Sequence, residues 1–172
     1  MKKSLLSIIV LAAFVLSANA ADNVANKTLS VQSKARIIVP ITLANTSSQA
    51  LDFGVIARGT LASTVVVASS ASPTINVASG DAVVLSSAAQ TAAKFTVGGE
   101  SGKTYAITIP STTQTITSGA STLNITGFTC SNNTGGTIGT NDVFYVGGTL
   151  AIPLNAVAAS YTGTFSVTVA YN

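Results

Sequence analysis

The chain has 172 residues, with eight Lys and Arg against five Asp and Glu, no His, no Trp and one Cys. That inventory removes the raw material for imidazole catalysis, common zinc sites and an intrachain disulfide framework, and it holds no basic patch for nucleic acid. Charged residues are 8% of the chain and hydrophobic ones 47%, so it is expected to fold and not to behave as a charged disordered tail.

In chain order, the first element is expected to be removed. Lys2 and Lys3 precede an apolar run from Leu5 to Leu16, broken only by Ser7, and Ala18-Asn19-Ala20 puts small residues at both recognition positions of a signal-peptidase site. Residues 1–20 read as a secretory leader cleaved between Ala20 and Ala21. Its apolar run is shorter than the roughly 18 residues that span a bilayer. The product is therefore expected to be secreted and soluble. Subtracting 20 from 172 leaves 152 residues, enough for one domain with a sizeable core. Removing Lys2 and Lys3 leaves six basic residues against five acidic ones, a net charge of +1.

A stripe of apolar residues on odd positions follows: Ala25, Leu29 and Val31, then Ala35, Ile37, Val39, Ile41 and Leu43, with polar residues between most of them. A strand from Ala25 to Leu43 would extend about 60 Å, far beyond the usual five or six residues. The stripe is expected to break near Gln32-Ser33-Lys34. That leaves an N-terminal extension, residues 21–33, and a β-sandwich domain, residues 34–172.

Within the domain, short β-branched and aromatic runs alternate with Gly, Ser, Asn and Pro. Strands are expected near Ala35–Leu43, Leu51–Ile56, Leu61–Ala68, Thr74–Val77, Ala82–Leu85, Ala93–Val97, Thr104–Ile109, Leu123–Phe128, Val143–Ile152 and Tyr161–Tyr171. The Ala content between Leu85 and Ala93 would also suit a short helix. In the last strand Tyr161, Phe165, Val167, Val169 and Tyr171 share one face, opposite Thr162, Thr164, Ser166 and Thr168. Many short strands at near-regular spacing predict an all-β, immunoglobulin-like β-sandwich. An alternating segment ahead of such a sandwich can be its own edge strand or can complete the open sheet of a neighbour.

Several stretches carry a family resemblance. Leu51-Asp52-Phe53-Gly54-Val55-Ile56, Ala93 to Gly99, Tyr105 to Pro110, Val146 to Leu150 and the ending Tyr161 to Asn172 together resemble a bacterial secreted family known as domain of unknown function 4402. The Asp52-Phe53-Gly54 step and Tyr171 are also similar to chaperone-usher pilins of the archaic, spore-coat-U-like class. That second resemblance implies an incomplete sandwich completed by donor-strand complementation. A periplasmic chaperone would cap the subunit first, then the N-terminal strand of the next subunit, in a head-to-tail homopolymer assembled at an outer-membrane usher in a Gram-negative bacterium. Ala25, Leu29 and Val31 would be the donor residues, and Phe165, Val167, Val169 and Tyr171 would line the C-terminal side of the receiving groove. The sequence departs from pilins in lacking a disulfide partner for Cys130 and in having Ala159 where many have Gly.

The expected function is a pilin-like structural subunit of an extracellular filament. The alternative is a monomeric secreted adhesin or carbohydrate-binding module with its ligand site on loops such as Ser131–Asp142. No catalysis, cofactor, metal or small-molecule substrate is expected. Gly98 to Thr104 looks like a phosphate loop, but only three residues separate Gly98 from Gly102 where that motif needs four, so a Gly-rich hairpin is expected. Cys130 reads as a small buried residue at a strand end. Arg58, Lys34 and Arg36 read as solvated edge charges.

Overall fold

Val, Ile, Thr and aromatic runs cut by Gly, Ser and Asn give strands, and in the computed structural model no helix occurs among the described residues, 27–45, 47–85, 90–133, 135–140 and 142–172. The leader with its cleavage pair Ala20 and Ala21, the stripe residue Ala25, and residues 86–89 of the Ala-rich stretch lie outside the described residues. The chain divides into residues 1–36 and a compact unit, Ile37–Asn172. In the first, Lys27–Arg36 carries no strand and is exposed throughout.

The compact unit holds β1 (Thr42–Ala44), β2 (Val55–Ala57), β3 (Ser63–Val67), β4 (Ile75–Ser79), β5 (Val83–Leu85) and β6 (Ala93–Gly98). It continues with β7 (Thr104–Thr108), β8 (Gln114–Ser118), β9 (Ser121–Cys130), β10 (Gly135–Thr137), β11 (Asp142–Ile152) and β12 (Thr168–Tyr171). Every pairing is antiparallel. The long strand β11 organises the larger sheet: Asp142–Val146 pairs with β6, Gly148–Ile152 pairs with β3, and β9 pairs across the join. β1 adds to β6, β4 to β3 and β8 to β9, making seven strands. At the join Gly147 lies against the Val67 carbonyl, where any Cβ would collide with the oxygen.

Two smaller sheets, β10-β7-β12 and β2-β5, supply the facing layer. Alternation decides what they bury. Tyr105 of β7 packs with Val97, Phe144 and Val146 of the large sheet, joined by half-buried Ile107, Val169 and Tyr171. Phe53, Ala82, Ile56 and Val84, from the β2–β5 side, pack with Val65, Val67, Leu150 and Ile152. Leu51 and Phe128 touch both clusters. The result is the expected all-β antiparallel sandwich.

A bulge in β9 sets its inward face. Thr126 pairs with Thr149 and Thr129 with Gly147, so Gly127 and Phe128 together oppose Gly148 alone. Gly127 has φ +56°, the left-handed conformation that this kind of bulge requires. The extra residue flips the strand's parity: Leu123 and Ile125 point inward before it, Phe128 and Cys130 after it. Cys130 is buried as expected, at the end of that strand.

The ladders differ from the expected strands at four places. The Ala35–Leu43 strand pairs only over Thr42–Ala44, and the Tyr161–Tyr171 strand only over Thr168–Tyr171, with an isolated bridge between Thr162 and Thr117. β8, unassigned from sequence, forms a hairpin with β9. β10 lies inside the Ser131–Asp142 loop and pairs with β7, so the stretch expected as the alternative ligand site is partly strand. Gly98 to Thr104 is a turn between β6 and β7, but those strands do not pair with each other: the turn crosses from the large sheet to the β10-β7-β12 sheet, so the expected Gly-rich hairpin is a connection between layers.

Candidate functional site

The facing layer is interrupted. Between the β2 segment and the stretch before β12 lies an open cavity of about 950 Å³. Its floor is the inner face of the large sheet: Ala93 and Phe95 of β6, Leu123 and Ile125 of β9, Leu150 and Ile152 of β11. One wall is residues 50–58, the other residues 156–165. The floor side chains are those a sandwich normally covers with a strand.

Both walls offer backbone. β2 pairs with β5 along one edge, leaving its other edge toward the cavity. In the opposite wall, Gly163–Val167 belongs to no ladder among the described residues. Sequence explains that gap. Thr168 pairs with Thr108, and the register carried forward puts Ser166 opposite Pro110, which has no N–H to donate. The ladder with β7 therefore stops, and Gly163–Val167 stays outside it.

Local devices fix the wall geometry. Asp52 bridges Thr91, and its Oδ1 accepts the Gly54 N–H at 2.7 Å, which turns the chain at Gly54 (φ +72°) into β2. At the other end Arg58 is not the free edge charge expected. Its Nη1 donates to the Ala156 carbonyl at 2.6 Å and the Leu154 carbonyl at 3.5 Å, clasping one wall to the other. Tyr161 closes the same end by donating its hydroxyl to the Val157 carbonyl at 2.8 Å.

Of the residues assigned to the groove from sequence, Phe165 lines the cavity and stands edge-on to Phe95, with ring centroids 6.5 Å apart. Val167, Val169 and Tyr171 are half-buried in the second cluster, beyond the cavity. Asp52–Ala57, Ile116 and Tyr161 also line it, and sequence reasoning had left them out of the site. The one signal for the first of these was the Asp52-Phe53-Gly54 step. Of the proposed donor residues, Leu29 is 86% and Val31 78% exposed.

The groups with shifted titration, Asp81, Tyr105 and Cys130, lie outside the cavity lining. The Asp81 carboxyl is held below its ordinary range by the Thr60 N–H first, then the Thr60 hydroxyl and the Leu61 N–H, all at 2.8 Å. Burial, then the neighbouring Asp142 carboxylate, push the Tyr105 phenol up to about 12. The Tyr105 hydroxyl and Asp142 Oδ2 are both buried without a hydrogen-bond partner among the described residues. Both border the space left by the missing side chain of Gly136. Burial also raises the Cys130 thiol. Among the described residues no group of three or more potential metal ligands assembles. What the cavity offers chemically is an apolar floor flanked by backbone on either side.

A family model described as "Domain of unknown function (DUF4402)" matches residues 41–171, nearly the whole compact unit. No curated protein and no solved structure matches the chain.

Proposed function

The chain belongs to the DUF4402 family, and from that premise we propose that it is the structural subunit of an extracellular filament, polymerised by strand donation between copies. The reading rests on one pairing of features. The sandwich has a cavity with an apolar floor, flanked by β2 and by Gly163–Val167, which joins no ladder among the described residues, and the same chain carries an exposed alternating segment outside the compact unit. A segment from Ala25 to Val31 would extend about 23 Å. Its main chain would extend both edges, while Leu29 and Val31 would cover the floor, as in strand addition generally. One end donates and a different face receives, so the contact repeats without closing and gives a fibre. Export by the leader, a capping chaperone and an outer-membrane usher are parts of this proposal. The alternative, a monomeric binding module using Ser131–Asp142, has weaker support because Gly135–Thr137 is tied into β7.

Electron microscopy of the purified mature protein and of its Leu29→Asp/Val31→Asp variant tests the proposal. Filaments are expected from the first and none from the second. Filaments from both, or from a chain lacking residues 21–32, remove the donor assignment.

A further inference from the structure

The strand β11 works as a ruler for the domain: its 11 residues extend about 35 Å. At its start Asp142 pairs with Val97, and the next β6 residue, Gly98, pairs with Thr42, so the segment Ile37–Ile41 enters at that end. At its finish Ile152 pairs with Ser63, so Leu61 and Leu154, each two residues further out, lie at the opposite end. The Arg58 clasp on the Leu154 and Ala156 carbonyls puts Val157 there too.

Each end carries exposed aliphatic residues among its polar ones. At the entry end Ile37 is 95% exposed, beside exposed Ile38 and Val39. At the far end Leu61 is 62%, Leu154 59% and Val157 56% exposed. A single exposed aliphatic residue needs no explanation, but two clusters at opposite poles of one domain form a complementary pair.

We infer that these poles meet: Ile37, Ile38 and Val39 of one copy pack against Leu61, Leu154 and Val157 of the preceding copy. The inference rests on the strand-donation reading and adds a direction to it. The groove runs from Phe165 and Leu51 to the Arg58 clasp at the far pole. A donor strand that leaves the groove beside Arg58 has five residues, 32–36, before its own Ile37. That brings its entry pole onto the far pole of the receiving copy. The donor then runs parallel to β2 and antiparallel to the Tyr161–Phe165 wall. The opposite orientation would release the chain at the Phe165 end and leave both apolar poles wet.

Thiol crosslinking of the assembled mature protein tests this in a Cys130→Ser background, using a short bismaleimide. Three paired variants are compared: Ile37→Cys with Leu154→Cys for the poles, Val31→Cys with Ala57→Cys for the groove, and Ile37→Cys with Thr140→Cys as a control within the entry end. The inference expects a ladder of covalent multimers from the first two pairs and none from the control. A ladder from the groove pair alone overturns the pole contact and leaves strand donation standing. No ladder from either overturns both. A ladder from the pole pair alone upholds the pole contact and removes strand donation. A control that ladders as strongly as the pole pair overturns the pole contact.

Discussion

The Tyr171 hydroxyl donates to the Val39 carbonyl at 2.7 Å and accepts the Glu100 N–H at 2.7 Å, tying the last strand to the segment that enters the domain. The Val39 N–H in turn reaches Glu100 Oε2 at 3.3 Å. One phenol thus holds β12, the β6–β7 turn and the entry segment together, at the pole where the chain leads in from residues 1–36.

Tyr171→Phe keeps the ring in its cluster and removes both hydrogen bonds. About 1 kcal/mol of stability is expected to go, because the freed backbone groups are exposed enough to find water. Gly99→Ala is expected to cost more, since its Cβ would run into the same phenol oxygen and approach Ile138 Cδ1 at 2.9 Å. In the double variant the Phe lacks the oxygen, so the combined loss should fall short of the sum. Urea denaturation of the four proteins checks this. Strict additivity would mean that Gly99 and Tyr171 are not in contact.

Asp81 braces the β2–β3 connection by accepting from Thr60 and Leu61. Its folded pKa is lowered, so its contribution is fully present above the ordinary aspartate value of 3.8 and disappears as pH falls through the lowered one. Asp81→Asn should therefore melt below the parent at neutral pH. The two melting curves should approach each other as the pH drops below about 4. A gap that stays constant down to pH 2 would assign the brace to something other than the charge.

Tyr105 supplies the mirror-image case. Its folded pKa is raised to about 12, so below its ordinary value of 10.0 it carries no pH dependence. Between those values the unfolded chain loses the proton while the folded one keeps it, and stability drops by about 1.4 kcal/mol per pH unit. Tyr105→Phe should not lower stability at neutral pH, since the buried hydroxyl it removes has no hydrogen-bond partner among the described residues. Between pH 10 and 12 it should remove that part of the alkaline loss, as read from urea midpoints across the range.

The fold class was legible because alternation reports faces directly: Val65, Val67 and Val97 are buried where period two puts them. What was not legible depended on partners. Tyr161–Tyr171 alternates except at Ala170, yet apart from the Thr162–Thr117 bridge only its last four residues pair, because Pro110, distant in sequence, ends the neighbouring ladder. β10 is a Gly-Gly-Thr strand with no strand-forming residue except Thr, held in place by pairing with β7. Arg58 looked like an edge charge, since no local pattern announces that carbonyls nearly a hundred residues later will accept its guanidinium. The groove itself was half visible. Phe165 was assigned to it, whereas the Asp52–Ala57 wall becomes a wall only once β2 turns away to pair with β5.

The groove makes a final quantitative prediction about the isolated domain. Leu29 and Val31 entering the cavity would each contribute roughly 1.5 to 3 kcal/mol, together ~3 to 6 kcal/mol before entropy. That is comparable with the whole stability of many domains. Making the insertion intramolecular removes most of the entropic cost of association. Asn172 lies at the entry pole with Tyr171, so a strand appended there can run antiparallel to Tyr161–Phe165 without crossing the domain. A Gly-rich linker of about eight residues covers the roughly 23 Å back to Phe165. Appending a copy of Ala21–Lys34 in this way, with the original N-terminal segment deleted, should give a monomer that melts well above the plain domain. The same fusion with Leu29→Asp and Val31→Asp in the appended copy should lose that gain, because two carboxylates would be buried on an apolar floor without partners. Equal melting temperatures for the plain domain, the fusion and its Asp variant would show that the cavity does not accept this segment, and strand donation by residues 25–31 would have to be given up.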